Sequence, residues 1–166
     1  ACALALPGHA EGGLPADLPA VSCEAFIILD ADSGQVILEK NADERLYPAS
    51  ITKIMTLGLA LRKANGGWSG QLTVSDEAVY SLVGTESSHI ALQPGEVVNL
   101  EDILYATQLV AANDGANVLA CYIGGSIEGG VEEMNRQARA LGLENTHFTN
   151  PHGLMDTDHY TSARDM

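Results

Sequence analysis

Basic residues are scarce in this sequence. Eight Lys and Arg stand against 22 Asp and Glu, giving a formal net charge of −14 and a pI near 4.4. Such a chain repels polyanions, which argues against nucleic acid or anionic lipid as a partner. Long apolar runs are lacking too: beyond residue 10 nothing approaches the roughly 20 residues of a membrane span. Cys2, Cys23 and Cys121 show neither CxxC nor Cys/His zinc spacing, so they read as small buried or free thiols, although an oxidising, exported setting would allow Cys23 and Cys121 to pair. No internal repeat is visible.

What is present is enough for one domain, or a large piece of one, with a real core in 166 residues. The first residue is Ala1 rather than Met. Ala1 to Leu6 is short and apolar, and Pro7-Gly8-His9-Ala10 resembles the end of a secretory signal with its small-residue cleavage site. Glu11 to Pro19 is rich in Gly, Pro and Ala. Residues 1–21 are therefore expected to be a signal remnant and linker, residues 22–166 the domain, and the protein exported.

Ala25 to Asp30 and Val36 to Lys40 are β-rich runs flanking the turn-forming Ala31-Asp32-Ser33-Gly34-Gln35, which predicts a hairpin. Its first strand is apolar on both faces and is expected inside the domain. Tyr47-Pro48 leads into a helix from Ser50 to about Ala64, apolar around nearly its whole circumference and so expected to be buried all round. Asn65-Gly66-Gly67 ends it. A short run Leu72-Thr73-Val74 precedes a short helix capped by Ser75 or Asp76. Ser88 to Leu92 and Val97-Val98 flank Gln93-Pro94-Gly95-Glu96 as a second hairpin. Asn99 and Ser126 read as N-caps of later helices, interrupted at Ala111 to Gly115 and ended at Gly142. His147 to Tyr160 is irregular.

Ser50-Ile51-Thr52-Lys53 places a hydroxyl and an amine three residues apart on one helical face, a nucleophile with a possible base beside it. Burial in so apolar a helix would lower the lysine's pKa and suit it to accept a proton. Locally, a lysine snorkelling outward beside an N-capping Ser50 fits equally well. His147, His152 and His159 lack the helical spacing of a zincin pair, so no metal is expected and loop-fixing roles fit better. Asp30 and Asp32 lie in a turn and should bond its backbone. Asp114 reads as a helix-terminus charge, and Glu101 as a solvated surface residue.

Taken together, Pro48-Ala49-Ser50-Ile51-Thr52-Lys53-Ile54-Met55-Thr56, Ala112-Asn113-Asp114-Gly115-Ala116, Asn150-Pro151-His152-Gly153-Leu154 and His159 to Asp165 strongly resemble the serine-type D-Ala-D-Ala carboxypeptidases, the low-molecular-mass penicillin-binding proteins. Asp30 to Gly34 also resembles that family's first hairpin. The resemblance implies the α/β fold shared by serine β-lactamases and penicillin-binding proteins: an antiparallel sheet plus a helical region, with the site between them. It implies cleavage of peptidoglycan stem peptides through an acyl-enzyme, with Ser50 as nucleophile, Lys53 as general base, Asn113 positioning substrate, β-lactams as covalent inhibitors and no cofactor.

Two departures stand against that pattern. The family's second motif, Ser-x-Asn, falls on Ala111-Ala112-Asn113, and a methyl group cannot relay a proton. The third motif, Lys-Thr-Gly, is absent from these residues; the resemblance implies that it supplies a carboxylate contact and one of two oxyanion donors. The chain is therefore expected to be an N-terminal portion of the domain, lacking the later strands, and to self-associate through an open sheet edge if it is stable alone. A weakened or inactive peptidoglycan or β-lactam binder is the alternative reading, and a D,D-endopeptidase a lesser one. A class A β-lactamase ranks lower still, for want of a convincing Glu-x-x-x-Asn.

Overall fold

In the computed structural model, which describes residues 21–166, the chain runs β1 (Phe26–Leu29), β2 (Val36–Lys40), a 3-10 turn (Ala49–Thr52), α1 (Lys53–Ala64), β3 (Gln71–Thr73), α2 (Asp76–Tyr80), β4 (Val97–Asn99), α3 (Leu100–Leu109), α4 (Asn113–Gly124) and α5 (Ile127–Leu141). The expected signal remnant falls outside the described residues.

Helix α4 is the axis of the helical region. Its small residues Ala116 and Ala120 and the branched Val118 and Leu119 are all buried, which lets α1, α2, α3 and α5 pack against it. Gly124 and Gly129 mark the closest approach: a Cβ on Gly124 would lie 2.0 Å from the Gly129 carbonyl carbon, and one on Gly130 would lie 2.5 Å from the Ala120 carbonyl oxygen, so only glycine lets α5 cross α4 at this distance. Ala60, Val74, Ala78, Leu92, Leu100, Ile103 and Leu104 complete one core with α4, while Leu59, Met134, Ala138 and Phe148 form a second.

Most helix ends follow the sequence. Ser75 caps α2 by accepting the Ala78 N–H, and Ser126 caps α5 by accepting that of Gly129. Asn65 and Gly142 close α1 and α5 in left-handed conformations. Asn99 does precede α3, but its amide bonds the Asp102 carboxylate at 2.9 Å instead of capping the helix backbone.

The first hairpin forms as expected, with Phe26 opposite Lys40 and Leu29 opposite Val36. Asp30 binds its own turn, accepting the Ser33 amide at 2.8 Å and its hydroxyl at 2.6 Å; the hydroxyl bond holds its carboxyl below the usual range. Arg164 ties the hairpin's base to the C-terminal segment through Glu39 and Asp43.

Several expectations are corrected. The first hairpin is not interior: Ile28, Leu29 and Ile37 are exposed, and among the described residues no third strand joins the hairpin. Nor is α1 buried all round. Its inward face carries Lys53, Thr56, Leu59 and Ala60, whereas Ile51 and Ile54, the latter 62% exposed, line the outer side. The second hairpin exists with a different partner: β4 pairs with β3, Val98 opposite Leu72. Ser88 to Leu92 makes no strand because its backbone is drawn to α4, as described below. Cys23 and Cys121 do not pair; burial pushes the Cys121 thiol up to about 11, and it rests against Ser75 and Glu77.

Candidate active site

The chain enters α1 through Pro48, whose fixed φ suits a helical lead-in. Ala49 then takes a left-handed backbone, φ +49°, uncommon for a residue with a Cβ. Ser50 lies in the 3-10 turn and Lys53 begins the α-helix, so the two are joined by the tighter winding in which residues three apart eclipse. Lys53 Nζ lies 3.3 Å from Ser50 Oγ. Ser50 is exposed, while Lys53 is only 4% exposed and forms no ion pair among the described residues. An ammonium buried without a counter-charge is strongly disfavoured, and burial holds the Lys53 amine below its ordinary pKa.

A strap from the irregular segment fixes this turn from beneath. Lys53 Nζ donates to the His152 carbonyl at 2.9 Å, and Thr56 Oγ1 to the Pro151 carbonyl at 2.6 Å. Asn150 folds the strap on itself, its Oδ1 accepting the amides of His152 and Gly153 and its Nδ2 donating to the Leu154 carbonyl. At Gly153, φ +90°, a Cβ would lie 1.8 Å from the Ala49 carbonyl oxygen, so no other residue lets the strap reach the Ser50 turn. The Ser50 N–H has no acceptor among the described residues and stays available to an anionic oxygen.

Asn113 is the first residue of α4. It is buried, its amide donates to the Ser88 carbonyl at 2.8 Å, and its carboxamide bonds no described residue. No hydrogen bond links it to Ser50 or Lys53. Ala111 is half-buried and left-handed, φ +55°, so the turn between α3 and α4 keeps a demanding backbone without a hydroxyl. Asp114 is more than a helix-end charge. Its buried carboxylate accepts the amides of Ile90, Leu92 and Gly115 at 2.9 to 3.1 Å, which is why Ser88 to Leu92 wraps α4 instead of forming a strand.

The three histidines hold loops. His152 Nδ1 accepts the Leu154 amide, His147 Nδ1 bonds the Asp158 carbonyl, and His159 bridges Thr149 and Thr52. Burial pushes both His152 and His159 down to about 4, so each is neutral near pH 7.

Sequence reasoning reached the Ser50–Lys53 pair but missed the two backbone carbonyls that seat the lysine turn, and missed Asp114 as the loop's anchor. One signal was available: Thr52, Lys53 and Thr56 are three polar residues on a single face of an otherwise apolar helix, and that face needs polar partners.

A hydroxyl on a short helical turn, beside a desolvated lysine three residues on, defines the Ser-x-x-Lys class of serine acyl-transfer sites. Comparison with known proteins narrows the class. The family model described as D-alanyl-D-alanine carboxypeptidase matches residues 14–166, and the chain belongs to that family. It is 38% identical over 145 residues to the D-alanyl-D-alanine carboxypeptidase DacF of Bacillus subtilis, covering 86% of this chain and 36% of the relative. It is 39% identical over 157 residues to DacC of Escherichia coli, covering 90% and 39%. Penicillin binding protein 5 from Haemophilus influenzae superimposes with a TM-score of 0.81 at 34% identity, over 93% of this chain and 44% of that one. The Streptomyces K15 DD-transpeptidase gives 0.80 at 27%, over 89% and 58%. The chain thus spans little more than a third of the curated relatives' length, and its mixed α/β architecture is that of the penicillin-binding-protein fold.

Proposed function

We propose that the complete protein is a D-alanyl-D-alanine carboxypeptidase that acts on peptidoglycan stem peptides outside the cytoplasm and is acylated by β-lactams at the same residue. The observation that carries this reading is Lys53: 4% exposed, without a counter-charge among the described residues, and 3.3 Å from Ser50 Oγ. A neutral lysine has two N–H bonds and one lone pair. With one N–H donated to the His152 carbonyl, the lone pair can face the serine.

In the proposed reaction the Ser50 proton passes to Lys53 as Oγ attacks the carbonyl between two D-alanines. Negative charge on that oxygen is met by the Ser50 N–H, and a second donor would come from a Lys-Thr-Gly strand, which these residues do not contain. Breakdown returns a proton to the departing D-alanine amine, and water then releases the acyl group. Asn113, with an unengaged carboxamide, would hold the substrate peptide. Ala111 removes one relay group, a loss of about a hundredfold to ten-thousandfold in rate rather than an abolition.

Ala111 also favours a second reading, a catalytically weakened or inactive module that binds peptidoglycan peptides or β-lactams without turning them over. Release of D-alanine from a pentapeptide by the complete wild-type protein separates the two. Measurable release supports the enzyme, whereas stoichiometric labelling by penicillin without release supports the binder. A D,D-endopeptidase would instead cut cross-linked dimers, a choice set by pocket shape.

A further inference from the structure

We propose that His159 is a positioning residue for the nucleophile, holding the Ser50 turn in place through the hydroxyl of Thr52. The inference rests on reading Ser50 as the nucleophile. Both His159 and Thr52 are 1% exposed, and they meet across the fold at 2.7 Å, Nε2 to Oγ1. The rest of the network assigns the proton. The Thr149 amide donates to Nδ1 at 3.0 Å, so Nδ1 carries no hydrogen and the single ring proton sits on Nε2, donated to Thr52. The buried ring also packs edge-on against Phe148, with 5.7 Å between centroids.

Thr52 closes the 3-10 turn that carries Ser50 and immediately precedes Lys53. A threonine in such a turn ordinarily bonds a carbonyl of its own helix. Here the hydroxyl is engaged from outside its helix, as Lys53 and Thr56 are by the His152 and Pro151 carbonyls. Three polar anchors therefore seat Thr52, Lys53 and Thr56. His159 supplies the one nearest Ser50 in sequence, at the point where the chain changes from 3-10 to α-helical winding. Exposed Ser50 has no side-chain anchor of its own besides Lys53, so its position depends on the seating of its neighbours. A shift of about 1 Å in a reacting group costs on the order of a hundredfold in rate.

Two substitutions divide the ring's two nitrogens. His159→Gln keeps a donor toward Thr52 and loses the acceptor for the Thr149 amide; His159→Asn keeps that acceptor and loses the Thr52 bond. Thr52→Val removes the hydroxyl and leaves the histidine intact. In the complete protein, the second-order rate of Ser50 acylation by a fluorescent penicillin should fall roughly 10- to 100-fold in His159→Asn and Thr52→Val. It should fall no further in their combination, and stay within about threefold of wild type in His159→Gln. Melting temperatures, taken in parallel, should drop comparably in both histidine variants, which a purely structural role would match with equal losses of acylation. Equal acylation by His159→Asn and His159→Gln, or wild-type acylation by Thr52→Val, would overturn the inference. If His159→Asn does not fold, Thr52→Val alone decides. A wild type that is not labelled at all overturns the reading of Ser50, and this inference with it; a labelled wild type with indifferent variants overturns this inference only.

Discussion

Two helix starts in this protein are built alike and furnished differently. Each opens after a left-handed residue with a side chain, Ala49 at φ +49° before α1 and Ala111 at φ +55° before α4. Such conformations cost on the order of 1 kcal/mol or more, and they persist where surrounding contacts impose them. Before α1 the contacts are the Gly153 strap, the His159–Thr52 bond and the two carbonyls beneath Lys53 and Thr56. Before α4 they are the Asp114 carboxylate and the Asn113–Ser88 bond. The α1 start carries both Ser50 and Lys53, whereas the α4 start has a comparable left-handed backbone with a methyl group at Ala111 in place of any hydroxyl. One backbone device can therefore carry different side-chain chemistry at two helix starts of the same chain.

The largest effect should come from stripping the equipped side. Lys53→Met should lower the acylation rate of Ser50 about a hundredfold to ten-thousandfold, read from the time course of penicillin labelling. Re-equipping the other side is the mirror experiment. Ala111→Ser inserts a hydroxyl at this left-handed position, and should raise D-alanine release by about a hundredfold, the lower end of what a proton-relay group contributes. No gain would mean that the two starts differ by more than one oxygen.

Perturbing the supports tests whether backbone matters as argued. Gly153→Ala forces a methyl group onto the Ala49 carbonyl and should cost about 3 kcal/mol of stability, measured by urea unfolding. Asp114→Ala strands buried amides at the α4 start and should cost about 1–3 kcal/mol by the same measure.

A pH dependence confined to the α1 side is a separate test. His152 and His159 are held near 4 in the folded protein against about 6.5 when unfolded, so between those values the unfolded chain binds more protons. Their contribution is fully present above about pH 6.5 and is lost as pH falls toward about 4, at up to about 1.4 kcal/mol per pH unit for each histidine. The melting temperature should track that window, and variants lacking either histidine should show a shallower slope.

What was legible in the sequence was local. Ser75, Ser126, Asn65 and Gly142 mark helix ends through their own side-chain or backbone chemistry, and the Ser50–Lys53 spacing follows from helical winding. What was not legible depended on partners distant in the chain. Ser88 to Leu92 has strand-like residues, yet Asp114, more than twenty positions away, captures its amides. The expectation that α1 is buried all round fails because Lys53 and Thr56 lie inward on carbonyls from residues 152 and 151, which leaves Ile51 and Ile54 outside. Apolar content showed that α1 belongs in a core; it could not show which side faces these residues.

The most direct test of the account is mass spectrometry of the complete wild-type protein after exposure to penicillin. The account predicts one added penicilloyl mass on the peptide containing Ser50, forming faster as pH rises through a Lys53 pKa below the ordinary lysine value. An unmodified Ser50, under conditions that fully label a known penicillin-binding enzyme, would contradict it.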